Sequence, residues 1–189
     1  MNMVYLLLYV IAAMIVGFVM VKTYQEKDRM RRYVIVLLAL AMICIVSYSV
    51  NFMTDNYNVM SAATSIMMSA QDFLLVSLFI YTTAFARISN KVTKVMTIAA
   101  FVIAIIDSVV FIANIFNEIA VKYSLVKCDG IYVLGYEGEL WFGIHAVMSM
   151  IITACIIAVL VIKCIHIPGA YWGRYIVMAA GLAIIILIK

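Results

Sequence analysis

Six apolar runs, at about residues 3–22, 34–53, 59–85, 95–116, 141–163 and 173–188, decide what this chain can fold into. Each approaches or exceeds the roughly 20 residues with which a helix crosses a hydrocarbon core about 30 Å thick. Inside lipid no water satisfies backbone N–H and C=O groups, so only helices or closed barrels can span. A barrel would alternate apolar and polar residues in short segments, whereas YVIVLLALAMICIVSYSV, Tyr33 to Val50, is continuously apolar. The 189 residues are 68% hydrophobic with a single proline, more apolar surface than a soluble core of this size could hide. The fold class is therefore all-α: a polytopic transmembrane bundle with six spans, forming one membrane domain over residues 1–189.

Basic residues set the orientation. Lys22, Lys27, Arg29, Arg31 and Arg32 lie between the first and second runs, Arg87, Lys91 and Lys94 between the third and fourth, and Lys163 and Arg174 between the fifth and sixth. The alternate connections hold Lys122 and Lys127 among Asp55, Glu118, Asp129, Glu137 and Glu139. By the positive-inside rule the first set is cytoplasmic, so the N-terminus and the loop over 117–140 face outward. A multi-pass protein of the cell membrane follows, and the net charge of +4 describes topology rather than nucleic-acid binding. The first helix lacks the basic start and short apolar stretch of a cleavable signal peptide. Pro168 and Gly169 would turn the chain between the last two runs.

No enzyme signature is present: no HExxH, nucleophile elbow, phosphate loop or histidine cluster. Cys44, Cys128, Cys155 and Cys164 show no metal-binding or redox spacing, and Cys128 stands alone in the outer loop. Neither a cofactor nor a metal is indicated, and no residue is assigned a catalytic role.

The informative residues are polar ones inside the runs. Cys44, Ser47, Tyr48 and Asn51 share one helical face; so do Ser61, Ser65, Ser69 and Asp72; so do Asp107, Val110, Phe111 and Asn114; and so do His145, Ser149 and Thr153. All four stripes occupy the outer half of the membrane, which predicts a polar cavity open to the outside. A carboxylate at mid-membrane costs roughly 2.5–3.5 kcal/mol even on the lenient insertion scale, so Asp72 and Asp107 must face inward toward partners, water or a proton. The candidate ligand-binding residues are Asp72, Asp107, Asn114, His145, Asn51 and Tyr48. Packing contacts between helices account equally well for the serines and threonines, and His145 beside Trp141 also suits an interfacial aromatic belt. In the outer loop, the alternation in GIYVLGYEG predicts a short hairpin capping the bundle.

The succession DSVVFIANIF, a tyrosine-containing outer loop, then WFGIHAVMSM resembles the N-terminal seven-transmembrane sensory region found ahead of bacterial histidine kinases and GGDEF-type diguanylate cyclases. Asp107, Ser108 and Asn114 match its polar pair and following amide, and His145 matches its histidine near the outer end of the fifth span. KCIHIPGAYWGRYIVMAAGL matches its basic cytoplasmic end and next span. The resemblance implies a sensor that takes an extracytoplasmic or lipid-soluble small ligand into the outward cavity and signals to a cytoplasmic output domain in cis, a kinase or cyclase. It implies seven spans, so the chain reads as a piece ending before a seventh helix and that output domain. Contacts with membrane lipid and a homodimer fit the same scheme. The competing class is a small transporter or carrier component using Asp72 and Asp107 for a proton, a cation or a cationic substrate. A structural subunit, with stripes serving only as helix contacts, is the third.

Overall fold

The computed structural model of the chain describes residues 2–88, 90–128 and 131–165. In order, it contains α1 (Asn2–Gln25), α2 (Arg31–Val50), α3 (Tyr57–Phe85), α4 (Lys91–Asn117), β1 (Val121–Cys128), β2 (Ile131–Gly138) and α5 (Leu140–Ile165). All five helices are long and apolar enough to cross a membrane. They coincide with the first five apolar runs; the sixth run, 173–188, and the turn at Pro168 and Gly169 lie outside the described residues.

Local chemistry sets several helix ends. The side-chain oxygen of Asn56 accepts from Asn58 N at 3.0 Å and Val59 N at 3.4 Å, capping α3. Asn90 Oδ1 does the same for α4, accepting from Thr93 N at 2.8 Å. Each supplies an acceptor to N–H groups that have no partner within the helix. At the other end of α1, Arg31 donates to the carbonyls of Tyr24 and Glu26 at 3.1 and 3.0 Å, tying the last turn of α1 to the start of α2. Glu118 leaves α4 in the left-handed region, φ 51°, and turns the chain toward β1.

The helices run alternately up and down, with α3 in the middle, packed on α2, α4 and α5, and with α1 on the far side of α2. That position explains why α3 is the least apolar of the five: a helix surrounded by protein can carry the serines and threonines that a lipid-facing helix cannot. Toward the basic end, Ala100 and Ala104, one turn apart on α4, pack with Val76 of α3, while Phe79 packs with Ile156 and Leu160 of α5. Toward the opposite end, Met67, Met68 and Phe111 pack against Val121 and Tyr123 of the hairpin.

The hairpin pairs β1 and β2 antiparallel, from Val121 opposite Gly138 to Cys128 opposite Ile131. It seats where α5 begins low. His145, the sixth residue of α5, meets Asp72, the sixteenth of α3, so at 1.5 Å per residue α5 starts roughly 15 Å below the start of α3. The hairpin fills that notch. Gly138 at its base is required by close approach, since a Cβ there would lie 2.5 Å from Phe142 Cδ1.

Candidate functional site

Three helices each send one ionisable side chain to the same point. Asp72 of α3, Asp107 of α4 and His145 of α5 are 6%, 6% and 2% exposed. His145 Nδ1 lies 2.6 Å from Asp107 Oδ2 and 3.2 Å from Asp72 Oδ1. The second oxygen of Asp107 accepts a hydrogen bond from Trp141 Nε1 at 2.7 Å. Trp141 precedes His145 by one helical turn, so both project from one face of α5. Phe111, one turn beyond Asp107 on α4, meets the imidazole edge to face with ring centroids 5.0 Å apart.

The electrostatics follow from burial. Two carboxylates out of water repel each other and each loses its hydration, a cost of several kcal/mol per ion unless a positive or donating group compensates. His145 supplies one such group between the two acids, and the Trp141 indole supplies another on the far side of Asp107. Among the described residues, Asp72 Oδ2, His145 Nε2 and Ser108 Oγ are buried with no hydrogen-bond partner. The cluster has capacity left to hold a cation or a proton. It offers no arrangement of nucleophile and base.

Asn114 has another partner. Its Oδ1 accepts from Ala120 N at 2.7 Å and Val121 N at 3.0 Å, and its Nδ2 donates to Val121 O at 3.0 Å. Fully buried, it fastens the base of the hairpin to α4. Tyr123 then inserts its ring beside α3, its hydroxyl 3.4 Å from Ser65 Oγ. Burial pushes the Tyr123 phenol above its ordinary pKa of 10.0. Outside these contacts Tyr57 donates to Glu118. Lys122 pairs with Glu139, whose carboxylate raises the pKa of the exposed ammonium.

Among the described residues the polar stripes converge on a core in which Asp72, Asp107 and His145 are buried. The hairpin packs at its end: Asn114 fastens it to α4, and Val121 and Tyr123 pack with Met67, Met68 and Phe111. Of the six candidate residues, Asp72, Asp107 and His145 come together. Asn114 lies at the lid. Asn51 stands apart, donating to Thr64 Oγ1 at 3.3 Å. Tyr48 turns toward α1 and packs with Tyr9 and Phe52, centroids 5.2 and 5.6 Å away. Trp141, which the sequence offers only as a belt residue, contacts the core directly; its i, i+4 spacing from His145 is the one signal that could have found it. Spacing along the chain also hides that Asp72, Asp107 and His145 present ligand atoms within 4.8 Å of one another, because each comes from a different helix.

Residues 5–189 match the family described as the N-terminal 7TM region of histidine kinase. No curated protein matches the chain. That family is a sensory transmembrane region and not the catalytic part of the kinase. The match speaks for histidine kinases and does not extend to diguanylate cyclases. Nearly the whole chain is covered, including the helices that carry Asp72, Asp107 and His145. The chain therefore belongs to the family of N-terminal seven-transmembrane regions of histidine kinases.

Proposed function

We propose that this chain is the receiving part of a membrane sensor, in which the buried Asp72, Asp107 and His145 form the element that a ligand biases. The observation that carries this reading is the convergence of three ionisable groups from three separate helices at 2.6 and 3.2 Å. A change in charge or ligation there alters the relative positions of α3, α4 and α5 at once. A ligand moves such an equilibrium only by binding one packing better than another, and a core joining three helices gives it that leverage. The basic residues at one end of the described helices, from Lys22 to Arg32, Arg87 to Lys94 and at Lys163, support a cytoplasmic placement of that end, with the hairpin outside. The signal then passes to a cytoplasmic kinase module in cis.

The test is basal autophosphorylation of the full-length kinase in lipid nanodiscs. Replacing Asp107 with Asn keeps the shape and removes the charge; it is expected to change the output several-fold, while the lipid-facing substitution Ile106→Leu leaves it unchanged. Equal output from Asp107→Asn and the parent, with both inserted and folded, would reduce the cluster to a packing contact.

A further inference from the structure

We infer that Asp72, Asp107 and His145 form a binding site for a divalent first-row transition cation, with Trp141 holding one of the ligands in place. The inference rests on the sensor reading and gives the ligand of that same core a chemical class.

Four observations carry it. First, the donors are already grouped as a cation would need them. Ligand atoms about 2.0–2.2 Å from a metal in tetrahedral or octahedral geometry lie roughly 3 Å from one another, and His145 Nδ1 is 2.6 and 3.2 Å from the two carboxylate oxygens. Second, the charges balance: two carboxylates with a neutral imidazole carry two negative charges in a water-poor core, and one divalent ion neutralises both. A single proton on His145 leaves one of them uncompensated, so that without an ion a second proton, on a carboxyl, would be needed.

Third, Asp72 is more than nine-tenths buried, yet its Oδ2 finds no hydrogen-bond partner among the described residues. A carboxylate oxygen so placed is available to a cation, as a second donor from Asp72 or as the acceptor for a coordinated water. Fourth, Asp107 has the support typical of a metal ligand. Its Oδ2 faces His145 while its Oδ1 is held by the Trp141 indole at 2.7 Å, the kind of outer contact that orients a ligating carboxylate. The donor set selects among cations. One imidazole with two carboxylates suits zinc, manganese or ferrous iron, whereas calcium and magnesium favour oxygen-only shells. Three protein ligands leave at least one coordination position open, which permits exchange and hence sensing.

The experiment uses the full-length protein in nanodiscs, stripped with chelator and dialysed against Zn²⁺ or Co²⁺. One saturable equivalent is expected, with Co²⁺ giving visible bands of mixed nitrogen and oxygen coordination; that spectrum needs no substitution and stands even if a variant fails to fold. His145→Gln and Asp107→Asn are expected to weaken binding by more than about 100-fold, and Trp141→Phe by about 10–100-fold, as outer-contact losses do. The surface substitution Glu137→Gln should leave it unchanged. Absence of saturable binding in the parent, or equal binding in parent and His145→Gln, overturns the site. No saturable binding in the parent, with an output still altered by Asp107→Asn, overturns the cation and keeps the sensor. Binding at this site without any effect of the cation on kinase output supports the site and overturns the sensor reading.

Discussion

Asn114 holds Val121 from both sides, accepting from its N–H and donating to its carbonyl, each at 3.0 Å. A side-chain amide here does what a neighbouring strand would do, and so docks a β-ribbon on the flank of a helix. The docked hairpin packs on Met67, Met68 and Phe111 at one end of the bundle.

The latch can be tested by Asn114→Leu, which keeps the volume and removes the hydrogen bonds. The Ala120 and Val121 N–H groups are then left buried and unpaired, at roughly 1–3 kcal/mol each. Hydrogen exchange in nanodiscs should show the β1 amides opening at least about 10-fold faster, since 1.4 kcal/mol corresponds to that factor. Unchanged protection would mean that side-chain packing alone seats the hairpin.

Trp141→Phe retains a ring of similar position and deletes only the N–H that reaches Asp107. A hydrogen bond to a charged acceptor contributes about 1.5–3 kcal/mol. Thermal unfolding should occur at a lower temperature than in the parent; an equal Tm would show that Asp107 is compensated by His145 without help.

Gly138→Ala brings a methyl group against the ring of Phe142, 2.5 Å from its Cδ1. Phe142 in turn stacks beside His145, centroids 6.0 Å apart, so the displacement reaches the core. Combining Gly138→Ala with Phe142→Leu should recover part of the lost stability, with a coupling of about 0.5–3 kcal/mol in a double-mutant cycle. Strict additivity would show that the ring yields freely.

Burial raises the Tyr123 phenol above its ordinary 10.0, and the sign of the pH effect follows. The docked hairpin keeps the proton longer than the undocked one, so its stabilisation is complete below about pH 10 and falls as the pH climbs through the raised value. Protease sensitivity of the hairpin should therefore rise only at strongly alkaline pH, and Tyr123→Phe should flatten that dependence. A parent and variant with the same pH profile would remove Tyr123 as its source.

Cys128 closes β1 at the tip of the hairpin. With the hairpin outside, a membrane-impermeant maleimide should label it on intact cells once the remaining cysteines are replaced. Labelling only after the cells are opened would invert the orientation.

What was legible in the sequence was what is local. The apolar runs and the alternation over GIYVLGYEG mark elements whose causes lie within a few residues. Asp72, Asp107 and His145 were legible as candidates because an acid or histidine in an apolar helix is costly wherever it points. Their company was expected from the shared depth of the stripes, but the closeness of Asp72, Asp107 and His145 was not, since it depends on α5 starting well below α3, an offset that leaves no mark in the helices themselves. Asn114 shares the stripe of Asp107, and Tyr48 lies on the polar stripe of α2, yet one is taken by a hairpin backbone and the other by the rings of Tyr9 on α1 and Phe52 just after α2. Periodicity identifies a face without naming its neighbour.

Glu139 alone separates β2 from α5, and its N–H is tied to Ala120 O at 3.1 Å. A connection of one anchored residue has no slack. A tilt of the hairpin would therefore displace the first two turns of α5, where Trp141 and His145 sit, and the ribbon would act on the buried core as a lever on its fulcrum rather than as a cover on its contents.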